Sequence, residues 1–262
     1  MNGRVLIIAG SDSGGGAGVQ ADIKTVSALG GYAATAITAL TAQNTLGVLD
    51  VLPIPAAFVA EQMSAVLDDI GADCIKTGML CDGGVIDAVC AVLDEKARGI
   101  PVVADPVMRA HEGARLLDPA AVRILTARLF PRVTLLTPNV PEAEALTGMR
   151  IDDRGGMVEV GRKLMSLGLA AVLVKGGHLP GETVCDVLVR PAGVAFYEHP
   201  RLGGRPLHGT GCTLASAIAT GLAQGMGIED AVRRARGYVF EAIRHAPGFG
   251  SGVTALDHGF DL

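Results

Sequence analysis

The sequence predicts an α/β protein built on an open, mostly parallel sheet, and three observations carry that prediction. Short, continuous apolar runs alternate with longer helical stretches along most of the chain. The runs end in polar turns rich in glycine or proline, the kind of turn that forms a ligand crevice at the carboxyl ends of parallel strands. Two of these connections, one near each end of the chain, are glycine loops that open helices.

The totals fit one domain over residues 1–262. Hydrophobic residues make up 49% and charged residues 19%, enough for a large core; with no Trp and 3% aromatics, that core must be aliphatic. A net charge of -5 with Lys and Arg scattered singly offers no basic stripe, so nucleic acid is not an expected partner. Five cysteines, odd in number and without a C-x-x-C pair, point to a reducing cytosol. The first apolar run is too short for a signal peptide or a membrane span, so the expectation is a soluble, cytoplasmic protein.

In chain order, residues 5–9 read as a strand, 10–18 as a glycine loop and 19–29 as a helix. The loop is not a dinucleotide fingerprint, because Val19 stands where the third glycine must be and no carboxylate closes the strand at 32–40. A P-loop is also excluded for want of its Lys-Ser or Lys-Thr. The expectation is a loop that closes over a small ligand with its backbone. A helix at 55–70, a strand at 73–76, a helix at 84–98 and strands at 102–104 and 133–136 follow. Three polar turns then converge on one place: 76–80, 105–108 and 137–142, carrying Asp105, Asn139 and Glu142. A helix at 157–167 leads to a strand at 171–174 that ends in Lys175-Gly176-Gly177-His178, and a hairpin is read at 183–189 and 194–197. Helices at 211–224 and 228–244 and a glycine-broken tail complete the chain.

The stretch His208-Gly209-Thr210-Gly211-Cys212 is the chemical centre of this pattern. A Gly-Thr-Gly turn running into a small-residue helix gathers free backbone N–H groups and the positive end of the helix dipole, which makes an anion site. A thiol at Cys212, beside that site, is expected to have its charged form favoured. Phosphoryl transfer needs positioned phosphates, neutralised charge and a deprotonated acceptor. The N–H groups of Gly209, Thr210, Gly211 and Cys212 suit the transferring group, Asn139 and Glu142 suit Mg²⁺ through water, Lys175 suits the nucleotide phosphates, and Cys212 suits the hydroxyl proton. Asp22, Asp105 and Gln43 remain for the acceptor, an amide being suited to a heteroaromatic edge.

Taken together, AGSDSGGGAGVQADIKT, TAQNT, KTGML, DPVM, TPNVPEAEAL, VKGGH and HGTGCTLASAIA resemble, in order and over nearly the whole chain, the hydroxymethylpyrimidine/phosphomethylpyrimidine kinases of thiamine biosynthesis, in the ribokinase-like superfamily. Most of that superfamily has an aspartate where these kinases, like this chain, have cysteine. The resemblance implies a three-layer α/β/α sandwich, ATP and Mg²⁺, a homodimer, and phosphorylation of 4-amino-5-hydroxymethyl-2-methylpyrimidine and then of its monophosphate. It places Gln43 on the aminopyrimidine edge and Gly10, Asp22, Met79, Val107 and Cys212 around the ring. Lys175, Asn139, Asp105 and Thr213 fall on the nucleotide side, and Glu142 with Asn139 at the metal. One departure stands out: where the family often shows Ala-Lys-Ser-Gly after DPVM, this chain has Arg109-Ala110-His111-Glu112-Gly113. Losing a fixed cation there bears on the second phosphorylation. The nearest rival is a pyridoxine or pyridoxal kinase of the same superfamily, which Cys212 disfavours; a non-catalytic pyrimidine-binding protein is a reading of another class.

Overall fold

The structure, a computed structural model, describes residues 1–108 and 118–260. His111 and Glu112 lie outside the described residues.

The first strand shows why the sheet is buried on both sides. Along β1 (Arg4–Asp12), Leu6 and Ile8 enter one core and Val5, Ile7 and Ala9 the other, so an uninterrupted apolar run is what two covered faces require. Around it the described residues form a nine-stranded sheet, ordered β3-β2-β1-β4-β5-β6-β7-β8-β9. The strands are β2 (Tyr32–Asn44), β3 (Gly47–Pro53), β4 (Cys74–Thr77), β5 (Val102–Ala104), β6 (Leu135–Leu136), β7 (Val172–Val174), β8 (Thr183–Arg190) and β9 (Gly193–Pro200). Strands β2, β1, β4, β5, β6 and β7 run parallel, and β3, β8 and β9 add antiparallel edges.

Helices α2 (Ala56–Asp69), α3 (Gly83–Lys96), α4 (Pro119–Ile124), α5 (Val140–Thr147) and α6 (Arg154–Met165) cover one face, contributing Met63, Ile86, Ala121, Ala143 and Leu164 to its core. The other face is covered by α1 (Gly18–Ala28), α7 (Thr210–Ala223) and α8 (Ile228–Arg244), through Val26, Ile218 and Ala235. This is the three-layer α/β/α sandwich the resemblance implies. Strand order reverses between β1 and β4, so a crevice opens past their carboxyl ends.

Three local readings are corrected. Residues 41–44, beyond the strand read at 32–40, continue β2 and pair antiparallel with β3, Gln43 opposite Val48. The Asn44 side-chain oxygen accepts from Leu46 N–H at 2.8 Å and closes the short connection. The turn at 137–142 is the start of a helix, because Asn139 and Glu142 form a reciprocal capping box at the head of α5. The tail is tied down: β11 (Thr254–Ala255) pairs with β10 (Leu207–His208) beside the anion loop. The hairpin forms as β8 and β9.

Candidate active site

A cleft of about 550 Å³ occupies the crevice, a size suited to small-molecule sites. The predicted residues Gly10, Gln43, Met79, Asp105 and Val107 line it, as do Asn139, Glu142 and Lys175 and the loop from Gly209 through Thr210 and Gly211 to Cys212. Two do not. Asp22 is wholly buried beneath the floor, where it pairs with Lys76, and Thr213 points the other way, its hydroxyl donating to Gly209 O at 2.8 Å and meeting His258 Nε2 at 2.9 Å. Both act behind the surface that a ligand would touch.

The anion loop depends on glycine at two points. Gly209 caps α7 with φ +86°, and a side-chain carbon there would lie 1.9 Å from Gly16 O, so the two glycine loops meet backbone to backbone. A carbon on Gly211 would lie 3.1 Å from both the Asp105 carboxylate and Lys175 Nζ. The head of α7, whose first N–H groups have no acceptor within the helix, therefore opens directly onto a charged pair.

That pair is built by neighbouring strand ends. Asn139 and Lys175 form a parallel bridge, Lys175 N–H donating to Pro138 O at 2.8 Å, and Lys175 Nζ meets Asp105 Oδ1 at 2.7 Å. Burial pulls the Lys175 ammonium down, but Asp105 and Glu142 more than offset it, and its pKa lies above the ordinary value. Burial pushes Glu142 up to about 7, against the pull of Lys175. The Asn139 side-chain oxygen accepts from Glu142 N–H at 2.9 Å, and Glu142 Oε2 accepts from Asn139 N–H at 2.8 Å. Asn139 thus holds Glu142 in place through the cap.

The first glycine loop differs from expectation. Its N–H groups do not face the cleft as a cradle: those of Gly14, Gly16 and Ala17 donate to the Asp12 carboxylate at 2.8, 3.1 and 2.8 Å. Burial raises the Asp12 pKa, but His208 and these N–H groups outweigh it and the net shift is downward. His208 Nε2 sits 3.0 Å from both Asp12 Oδ2 and the side-chain nitrogen of Gln43, and Thr41 Oγ1 lies 3.2 Å from Gln43 Oε1. Gln43 therefore lies between His208 and Thr41, and the single Nε2 of His208 serves either Asp12, as donor, or Gln43, as acceptor.

Cys212 also departs from its sequence reading. The helix dipole does not prevail: burial pushes the thiol up to about 11, against the opposing pull of Lys76 and a hydrogen bond from Gly18 N–H. Asp12, Lys76 and His208 also line the cleft, although sequence reasoning assigned none of them a role. A lysine ending a buried parallel strand and a carboxylate inside a glycine loop were the available signals.

A strand-order switch, a glycine anion loop and a buried cation–carboxylate pair place the molecule among the small-molecule kinases of the α/β/α class. A profile of the phosphomethylpyrimidine kinase family matches residues 12–257, and the chain belongs to that family. It is 51% identical over 256 residues to the thiamine biosynthesis bifunctional protein ThiED of Geobacter sulfurreducens, covering 98% of this chain but 52% of that protein. To the hydroxymethylpyrimidine/phosphomethylpyrimidine kinase of Streptomyces coelicolor it is 43% identical, covering 98% of this chain and 95% of that one. The structure of an ADP complex of Bacillus subtilis pyridoxal kinase superposes with a TM-score of 0.90 at 32% identity, covering 98% of each chain.

Proposed function

We propose that the chain, working as one kinase domain, transfers the γ-phosphoryl group of ATP to the hydroxyl of 4-amino-5-hydroxymethyl-2-methylpyrimidine, and then a second phosphoryl group to the monophosphate. The observation that carries this reading is Cys212 at the head of α7, in one cleft with the Lys175–Asp105 pair and the Gln43 amide. The N–H groups opening α7 hold the phosphoryl group as its charge grows, and Lys175 meets the nucleotide phosphates. Gln43, able to donate and accept, reads the aminopyrimidine edge, with Gly10, Met79 and Val107 against the ring. Cys212 takes the hydroxyl proton.

Among the described residues no cluster of three or more His, Cys, Asp or Glu side chains is arranged to hold a metal ion. One buried carboxylate, Glu142, at the nucleotide side fits a Mg²⁺ ion held mainly by phosphate oxygens and water. When bound, the ion neutralises phosphate charge; Glu142 orients its water, and Asn139 fixes Glu142. We also propose a homodimer, because the edge strand β3 leaves Leu49 and Leu52 76% and 62% exposed, an apolar edge that a second copy would cover. Among the described residues no helix is long and apolar enough to cross a membrane, and we place the protein in the cytoplasm.

A second reading, phosphorylation of a pyridoxine-type ring, is favoured by the close superposition on pyridoxal kinase; the higher identity to pyrimidine kinases favours the first. Purified protein with ATP, Mg²⁺ and the pyrimidine should yield mono- and diphosphate by mass detection. Cys212→Ala should lower kcat by about 10²- to 10³-fold with a smaller change in substrate affinity. A variant that keeps full turnover would contradict the role of the thiol.

A further inference from the structure

Beneath the floor of the cleft lies a polar cluster closed off from solvent. Lys76, on β4, is completely buried, and its ammonium meets Asp22 Oδ2 of α1 at 2.7 Å; Asp22 Oδ1 accepts from Ser216 Oγ of α7, also at 2.7 Å. A buried ion pair at an inner strand position is a poor source of stability, since well-packed apolar side chains of similar volume commonly do as well or better. Its neighbours across the sheet, Ile7 and Val103, are the residue types that such a position ordinarily takes. The pair therefore calls for a reason other than packing.

Its placement supplies one. Ser216 follows Cys212 by one helical turn, so the two lie on the same face of α7. Asp22, bonded to Ser216, and Lys76, bonded to Asp22, are thereby brought under the thiol. Lys76 also lines the cleft, and a side-chain carbon at Gly78 would lie 3.0 Å from its Nζ. The charged groups facing Cys212 come from four places: Lys76 of β4, Asp22 of α1, Asp105 after β5 and Lys175 after β7. Of these, Lys76 exerts the largest electrostatic pull on the thiol, and it favours the thiolate.

We propose that Lys76 is the resident countercharge of the Cys212 thiolate, that Asp22 keeps this buried lysine charged, and that Ser216 fixes Asp22 in register with the thiol. Lys76 is then a positioning residue, and the wholly buried Asp22 serves the ring-binding cleft only through it. The inference rests on reading Cys212 as the proton acceptor. The thiol first gives its proton to solvent. As the substrate oxygen bonds to phosphorus and the bond from phosphorus to the ADP oxygen breaks, the hydroxyl proton passes to the thiolate sulfur, regenerating the thiol. Lys76 acts on the first of these steps by raising the thiolate fraction.

The test reads the thiolate without requiring turnover. Cys212 is partly exposed, as is Cys81, which lies five residues after Lys76 and serves as an internal reference for local opening. Iodoacetamide alkylation of both cysteines in the full chain is followed by peptide mass spectrometry between about pH 7.5 and 9.5, where the rate tracks the thiolate fraction. Lys76→Met should slow alkylation of Cys212 by roughly tenfold or more, one unit of thiol pKa being tenfold in thiolate, while Cys81 is unchanged. Its kcat should fall with little change in KM for the pyrimidine. Should the unpaired Asp22 prevent folding, Lys76→Met/Asp22→Asn replaces both charges with neutral groups of similar shape; it should still slow Cys212, by less, because Asp22 opposes the thiolate. An unchanged or faster Cys212 rate in whichever variant folds overturns the proposal. If Cys212→Ala keeps its turnover, the proton-acceptor reading fails separately, and the alkylation result still reports on Lys76.

Discussion

At the scale of single residues, the site depends on where charge can be held close to backbone. Gly211 stands between the head of α7 and the Asp105–Lys175 pair, and adding one carbon there places it 3.1 Å from both charged groups. Gly211→Ala should lower kcat/KM by roughly 10- to 100-fold by displacing that pair from the phosphoryl position. Alanine is the better helix former by up to about 1 kcal/mol, which offsets part of the cost of displacing the buried pair, so the melting temperature should fall only slightly. Steady-state kinetics beside thermal unfolding check this, and loss of both together would mean that the glycine serves the fold. The anion loop, Asp105 and Lys175 were legible in the sequence because strand–turn alternation gathers turns at one end of a parallel sheet, whereas Gln43, which lies in β2, was marked only by the family resemblance. The buried Asp22–Lys76 pair and the opposed orientation of Thr213 were not legible, because side-chain direction and burial depend on what packs against each position. The same cause misled the reading of Cys212, whose burial outweighs the helix dipole.

At the scale of elements, two buried groups brace the site with opposite dependence on pH. Burial holds His258, against Thr213 under the anion loop, down at about 4. Its contribution to stability is full above the ordinary 6.5 and is lost as pH falls through 4. Burial raises Glu142, at the head of α5, from 4.5 to about 7, so its contribution is full below 4.5 and is lost as pH rises through 7. Glu142→Gln keeps the acceptor for the capping bond and removes the ionisation. Relative to the native chain, the variant should gain little at pH 4.5 and up to about 3 kcal/mol at pH 8 in urea unfolding without ligands. A variant that loses stability as pH rises would contradict the assignment. Elements with strong periodicity, such as α8 and the hairpin β8–β9, were read at nearly their observed positions. The extension of β2 into β3 and the short helix α5 were hidden, since their residues carry turn chemistry that the sheet edge and the capping box put to use.

At the scale of the whole molecule, the sheet leaves an apolar edge at β3, with Leu46, Leu49 and Leu52 exposed. If a second copy covers it, Leu49→Asp should convert a dimer to a monomer in light scattering while leaving the fold intact by circular dichroism. A native chain that is monomeric at micromolar concentration would remove this reading. Selection of an aminopyrimidine over a pyridine ring by the cleft is measured by competition. Equal amounts of hydroxymethylpyrimidine and pyridoxine are offered in one reaction with limiting ATP, and both products are quantified by mass. Pyrimidine mono- and diphosphate in clear excess is expected; phosphorylated pyridoxine in equal or greater amount would overturn the assignment of the cleft to an aminopyrimidine.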